Sequence, residues 1–316
     1  MTSRDGVTTG FAARLHARRR SLGTAVCLGL DPRPTAHPLT DPARLGAAQP
    51  WDDAVLAAVT EYCTAILDAT SDVIAACKPQ AAFFEALGPG GIQVLAAVMA
   101  HARRLGVPVI LDAKRGDIGT TATAYAAAYL GAGPLAADAL TVSPYLGLDT
   151  LEPFVTAAVG GGRDVYVLVR TSNPGSRDLQ GLALAAGGTV AGHLAQRLAR
   201  LAEALPTDDD GYTCLGAVAG DPGAMAAVRA ALPRSPLLVP GYGAQGSEAR
   251  DVLPAFDGSG LGAVVNASRT LTYGAGFDQA GTFAELGTRA RAAASAMRDE
   301  LESALAAGVR ASAGTT

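Results

Sequence analysis

The chain has 316 residues, 49% of them hydrophobic, with 25 basic residues against 29 acidic and a formal net charge of −4. That is enough apolar material for one large α/β domain, and the charge balance excludes the Lys/Arg field that nucleic acid requires. No run of some 18 apolar residues is present to span a membrane as a helix.

In chain order, Arg4, Arg14, Arg18, Arg19 and Arg20 fall on what reads as a surface helix, so residues 1–20 are expected to form an N-terminal helical extension. The apolar stretch Leu22–Leu30 resembles an export signal only superficially. It contains Gly23 and Gly29, ends at Asp31-Pro32 and offers no small-x-small cleavage site, so a cytoplasmic protein is expected. Strand-like apolar runs then recur at Ala25–Leu30, Val73–Cys77, Val107–Leu111, Ala139–Val142, Val165–Val169, Cys214–Val218, Leu237–Val239 and Ala263–Val265. Helical patterns lie between or after them at Asp53–Asp68, Gly91–Leu105, Thr120–Leu130, Thr189–Leu205, Ala224–Ala231 and Thr282–Leu305. Eight strands alternating with helices predict parallel βαβ units, and a closed (β/α)8 TIM barrel over residues 21–306 as a single domain is the simplest architecture. A doubly wound open sheet is the alternative. Pro32–Pro50 reads as a Pro-rich loop, Thr207–Gly211 as a solvated turn, and 307–316 as a flexible tail.

Cys27, Cys63, Cys77 and Cys214 lie far apart without CxxC spacing, and the four histidines are scattered. Reduced thiols are expected, and no metal site is.

Chemistry in such barrels sits at the C-terminal ends of the strands. The positions there are Asp31, Lys78, Asp112, Lys114, Ser143, Ser172, Gln245 and Arg269. Each alone has a bland reading as a turn former or strand-end polar group; together they converge on one mouth. The densest part is Leu111-Asp112-Ala113-Lys114-Arg115-Gly116-Asp117. Asp112 and Lys114 are two apart, so a persisting strand puts both on one face. Asp117 follows Gly116, which lets the chain turn, and it can cap a helix beginning at Ile118. Charges gathered there must pair, and each then shifts the other's proton affinity. A structural ion pair plus a helix cap is the competing interpretation. Arg115 reads as a solvated or rim residue.

The last two loops fit an anion. Pro240-Gly241-Tyr242-Gly243-Ala244-Gln245-Gly246 brings backbone N–H groups close and adds a Gln side chain. Arg269 ends the eighth strand segment with a guanidinium suited to bidentate phosphate recognition. Neither loop matches a P-loop or a dinucleotide fingerprint.

These motifs have a family likeness. Leu111–Gly119 resembles the DxKxxDIG signature of the orotidine 5′-phosphate decarboxylase family, in the form DAKRGDIG of its bacterial type 2 subgroup. Lys78-Pro79-Gln80-Ala81-Ala82-Phe83-Phe84-Glu85 is similar to the subgroup's KPQ-x-AFFE element, and Thr141–Gly147, Pro240–Gly246 and Val265–Arg269 match as well. Ser143 stands where the subgroup carries Asn.

The resemblance implies decarboxylation of orotidine 5′-phosphate to uridine 5′-monophosphate (UMP) in pyrimidine biosynthesis, without a cofactor. It implies Lys114 as proton donor to C6, with Asp112, Lys78 and Asp117 completing a Lys–Asp array. It places Asp117, accompanied by Thr121, in the neighbouring subunit's site, hence a homodimer with shared active sites. Asp31 would bind the ribose, Ser172 the pyrimidine edge, and Gln245 with Arg269 the 5′-phosphate; Ser143 joins the substrate-binding candidates. Two rival functions share parts of this pattern: a Mg²⁺-dependent sugar-phosphate lyase of the same suprafamily, and a non-catalytic phosphometabolite-binding barrel. The first needs a further metal-binding carboxylate near the second strand, where Lys78 stands. The second has little reason to keep a costly Lys–Asp array.

Overall fold

In the computed structural model, which describes residues 10–243 and 248–313, the apolar runs form eight parallel strands. They are β1 (Val26–Leu30), β2 (Ala76–Pro79), β3 (Ile110–Arg115), β4 (Ala139–Val142), β5 (Asp164–Arg170), β6 (Leu215–Ala219), β7 (Leu237–Val239) and β8 (Ala263–Ala267). The α-helices are α1 (Phe11–Leu22), α2 (Asp53–Thr70), α3 (Ala81–Glu85), α4 (Gly88–Arg104), α5 (Gly119–Leu130), α6 (Glu152–Gly161), α7 (Val190–Glu203), α8 (Pro222–Ala231), α9 (Ala249–Val252), α10 (Arg269–Thr272) and α11 (Phe283–Ala313). Continuous ladders run in the order β2-β1-β8-β7-β6-β5-β4-β3. Two single parallel bridges, Cys77 with Val109 and Gln80 with Asp112, bring β2 to β3. The sheet therefore closes almost completely into the expected barrel, and the open doubly wound sheet is ruled out.

β2 and β3 each begin three residues later than the apolar pattern predicts and run on into charged residues. Hydrophobicity marks burial, not hydrogen bonding. Val73, Ile74, Val107 and Val109 are buried before their ladders start, while Lys78 and Asp112 lie within the strands and point inward. The final helix continues to Ala313 rather than ending where a tail from residue 307 was expected.

Alternation along the strands sorts the barrel interior into layers. Near the floor Cys27, Ala76, Ile110, Ala139, Tyr166, Leu238 and Val264 form one apolar cluster. Two residues on, the same faces carry Gly29, Lys78, Asp112, Thr141, Leu168 and Asn266. The polar layer is thus one pleat above a dry floor. Gly29 is required there, because a Cβ would sit 1.9 Å from Ser268 Oγ.

Helix α1 is not the surface helix expected. It buries Phe11, Ala12, Leu15 and His16, and the Phe11 ring meets Tyr166 edge-on at 6.4 Å inside the barrel floor. Its arginines tie the lower loops together. Arg18 donates to the carbonyls of Ser71, Ile74 and Gly106, and Arg19 to Gly260 O and Glu302. The four cysteines are free, three of them buried. Among the described residues no helix is long and apolar enough to cross a membrane.

Candidate active site

The centre of the mouth is one carboxylate with four donors. Asp112, 7% exposed, accepts from Lys78 Nζ at 2.7 Å and Gln80 Nε2 at 2.8 Å on Oδ2. Its Oδ1 accepts from Lys114 Nζ at 2.6 Å and Thr141 Oγ1 at 2.9 Å. Every strong acceptor position of the carboxylate is engaged. Burial by itself would raise the Asp112 pKa, but the ammonium groups of Lys78 and Lys114 outweigh it and hold the carboxyl well below the usual range. Burial would lower the Lys78 pKa, and attraction to Asp112 and then Asp31 overcomes it, leaving that ammonium more basic than an ordinary lysine. The pair is ionised throughout the physiological range.

Lys114 reaches Asp112 by a route the simple two-residue spacing does not describe. Four residue steps along β3, from Leu111 to Arg115, span only two along β4, from Leu140 to Val142. The surplus is taken up in a bulge where Lys114 adopts φ +47°. The Lys114 side chain is half exposed at the mouth, whereas Lys78 is buried.

Asp31, Lys78, Ser172 and Arg269 line a common cavity of about 210 Å³, with Arg33, Gly241, Asn266, Ser268 and Tyr273. Asp31 Oδ1 and Asn266 Oδ1 are buried acceptors without a partner among the described residues. Such acceptors suit a ligand bearing hydroxyl groups. Arg33, whose guanidinium lies 4.9 Å from the Phe83 ring centroid, and Arg269 line the same cavity, and the left-handed Gly241 (φ +85°) lets backbone approach it. Tyr273 Oη accepts from Arg33 N at 2.7 Å and donates to Asp31 O at 3.2 Å, pinning the β1 loop over α10.

The structure brings six predicted residues together: Asp31, Lys78, Ser172 and Arg269 around the cavity, and Asp112 and Lys114 through Lys78. Others stand apart. Asp117 does not cap α5, whose N-cap is Ile118 with no side-chain cap bond; Asp117 Oδ1 accepts from the Ile118 N–H instead. The left-handed Gly119 (φ +52°) starts the helix one residue later than a cap at Asp117 would place it and one before the Thr120 of the helical pattern. Thr121 is exposed on that helix. Ser143 lines a neighbouring groove with Tyr145, Leu148 and Leu179 rather than the cavity, and its backbone lies against Gly116, where a Cβ would lie 2.9 Å from Ser143 O. Gln245 lies outside the described residues. Arg115 is not a solvated residue: it pairs with Glu85 and lies 5.6 Å from the ring centroids of Tyr125 and Tyr129.

Sequence reasoning assigned no role to Gln80, Thr141, Asn266 or Arg33. The first three sit inside quoted motifs, and their inward positions follow the same two-residue alternation as Lys78 and Asp112. Arg33, in a Pro-rich loop, carries no such signal.

Comparison with known proteins gives the family. The family model described as "Orotidine 5'-phosphate decarboxylase / HUMPS family" matches residues 24–280. An orotidine 5′-phosphate decarboxylase of Rhodopirellula baltica is 46% identical over 83% of this chain and 88% of its own, and one of Deinococcus radiodurans 44% identical over 95% and 99%. A solved structure from Streptomyces avermitilis is 32% identical with a TM-score of 0.77, covering 97% of this chain and 99% of its own. The Leishmania donovani OMP decarboxylase structure is 33% identical with a TM-score of 0.69, covering 92% and 99%.

Proposed function

The chain belongs to the orotidine 5′-phosphate decarboxylase / HUMPS family, and from that premise we propose that it converts orotidine 5′-phosphate to UMP in pyrimidine synthesis, in the cytoplasm, by fixed charge and without a cofactor. The observation that carries the mechanism is the saturated Asp112 carboxylate set between two lysines.

Loss of CO2 from C6 leaves a carbanion in the ring plane, outside the π-system, so delocalisation cannot help. Stabilisation then rests on preorganised charge. Asp112 holds the Lys114 ammonium beside C6, where its charge opposes that of the developing carbanion and its proton completes the reaction. A lysine suits this role because an ammonium can give up its proton, which a guanidinium does not readily do. Lys78 neutralises the buried carboxylate and, with Asp31 and Asn266, meets the ribose hydroxyls. Arg269, Arg33 and Gln245 take the 5′-phosphate, and Ser172 the pyrimidine edge. The phosphate, remote from C6, supplies binding energy that is used at the reacting carbon.

The Mg²⁺-dependent lyase reading is disfavoured by the same geometry. Asp112 has no free oxygen position for a cation, and an ammonium fills the place of a further carboxylate.

Asp117 and Thr121 serve the partner's site in a homodimer. What supports this is that Asp117 stands outside its own array, on a loop flanked by exposed apolar residues: Ile118 is 63%, Tyr145 75% and Leu146 52% exposed. The β3 and β4 loops carrying them are joined by Ser143 N donating to Arg115 O at 2.8 Å. A second copy covering this patch would bring its own Asp117 across.

The test is loss of orotidine 5′-phosphate absorbance with purified protein in the presence of EDTA. Turnover that persists supports the reading; no turnover, or turnover only on adding Mg²⁺, overturns it.

A further inference from the structure

We infer that Thr141 is a positioning residue for the decarboxylation, its single hydroxyl fixing both the left-handed turn at Lys114 and the orientation of Asp112. The inference rests on the function proposed above and adds a residue to it.

A hydroxyl has one proton and two lone pairs. Thr141 Oγ1 accepts from the backbone N–H of Ala113 at 3.0 Å and of Lys114 at 2.9 Å. With both lone pairs turned to those donors, its proton points at Asp112 Oδ1, 2.9 Å away. That is the oxygen holding the Lys114 ammonium at 2.6 Å. Thr141 therefore grips Lys114 twice, by its backbone and, through Asp112, by its charged end.

The backbone grip matters because Lys114 is strained. It is the one non-glycine residue with positive φ among the described residues. An L-residue holds that conformation only where its surroundings over-determine it. Two successive N–H groups converging on one buried oxygen are such a constraint. Thr141 is 1% exposed and β-branched, so its χ1 is stiff and the hydroxyl has little freedom to follow a moving partner. Valine would pack equally well in a buried strand; the hydroxyl is what packing alone does not require.

Without the hydroxyl both N–H groups face a methyl, the bulge loses its anchor, and the Lys114 ammonium leaves its position at C6. Affinity for the phosphate end is set elsewhere, by Arg269 and its neighbours. The effect should therefore fall on kcat rather than on binding.

The experiment compares Thr141→Val and Thr141→Ser with wild type for kcat and KM on orotidine 5′-phosphate, UMP affinity by calorimetry, and thermal melting. Thr141→Val is expected to lower kcat on the order of 100-fold, the scale of a displaced catalytic group. Its KM and UMP Kd should stay within about threefold, as for an interaction made only in the transition state. Thr141→Ser, which keeps the hydroxyl, should recover all but about fivefold of kcat. Should Thr141→Val not fold, Thr141→Ala replaces it, removing the hydroxyl without placing a methyl against the two N–H groups. The inference is overturned if the folded hydroxyl-less variant keeps kcat near wild type, if serine fails as badly as valine, or if UMP affinity falls in step with kcat. An inactive wild type would instead overturn the parent reading, so the two failures are distinct.

Discussion

Lys114 Nζ meets Asp112 Oδ1 at 2.6 Å across a kink in β3, not along a straight strand. The kink has a chemical effect. Asp112 spends Oδ1 on Lys114 and Thr141 and Oδ2 on Lys78 and Gln80, so it has no lone pair left with which to act as a base. It is a fixed negative charge. Lys114, half exposed, keeps two of its three protons for the mouth.

Lys114→Ala should therefore stop turnover while leaving UMP binding largely intact, since it removes the proposed proton donor and not the phosphate grip. The expected loss in kcat is about a thousandfold or more, within the range for removing a general acid. Stopped-flow or steady-state assay beside calorimetry with UMP decides it; decarboxylation within tenfold of wild type would sink the assignment.

Arg269 sits at the cavity rim with Arg33. Replacing Arg269 by Ala should weaken UMP far more than uridine, by about 1.5–3 kcal/mol, the cost of a lost charge-assisted pair. Calorimetry with both ligands reads the difference directly. Equal losses for the two would mean that Arg269 only supports the loop.

Asp112→Asn should destabilise the fold by about 3–5 kcal/mol near neutrality, because it leaves the buried Lys78 ammonium short of its counter-charge. The pH dependence has a defined sign. The Asp112 pKa is lowered in the folded state, so its contribution is present above the unfolded value near 3.9 and lost as pH falls through the folded value. The Lys78 pKa is raised, so its contribution is full below about 10.4 and lost as pH rises through the folded value. Urea unfolding should give a gap between wild type and variant that is flat from about pH 5 to 7 and narrows only below about pH 4. Narrowing already between pH 7 and 5 would show that the carboxylate is not held ionised.

Asp117→Asn and Lys114→Ala protomers should complement each other if Asp117 serves the partner's site. In a mixed dimer one site inherits both lesions and the other neither. Random pairing makes half the dimers mixed, so activity should recover to about a quarter of wild type, as a two-fold symmetric interface requires. Each mutant alone stays near zero. Two differently tagged protomers, co-expressed and assayed as a purified mixture, provide the readout. A confirmed heterodimer without activity would put Asp117 in its own subunit's site or leave it with a local structural role.

Much of this was legible in the chain. The eight apolar runs gave the barrel because buried parallel strands are apolar on both faces. Lys78, Asp112, Lys114 and Arg269 were found because charge directly after such a run is conspicuous. Thr141 and Gln80 escaped because their value lies in where they point across to β3, and inter-strand register is not written in local pattern. The competing interpretation of Asp117 as a cap fits its position but not the structure, where Gly119 at φ +52° starts the helix and Ile118 is its N-cap. Helix α1 looked like a surface element because its four described arginines outweigh the four-residue spacing that buries Phe11 with Leu15 and Ala12 with His16.

The join between β2 and β3 gives the barrel an uneven hoop strength. Every other neighbouring pair shares a ladder of at least two register partners, while these two strands meet at single bridges, with Cys77 N donating to Pro108 O at 2.9 Å. Across that one joint run Lys78 and Gln80 to Asp112. The charges proposed to carry the chemistry are also the rivets of the wall. Breathing of the barrel at its weakest joint would pull the ammonium from its carboxylate, and a ligand that engages Lys78 must tighten the ring, slowing solvent exchange of the amides along the β2–β3 join before those of any other pair of strands.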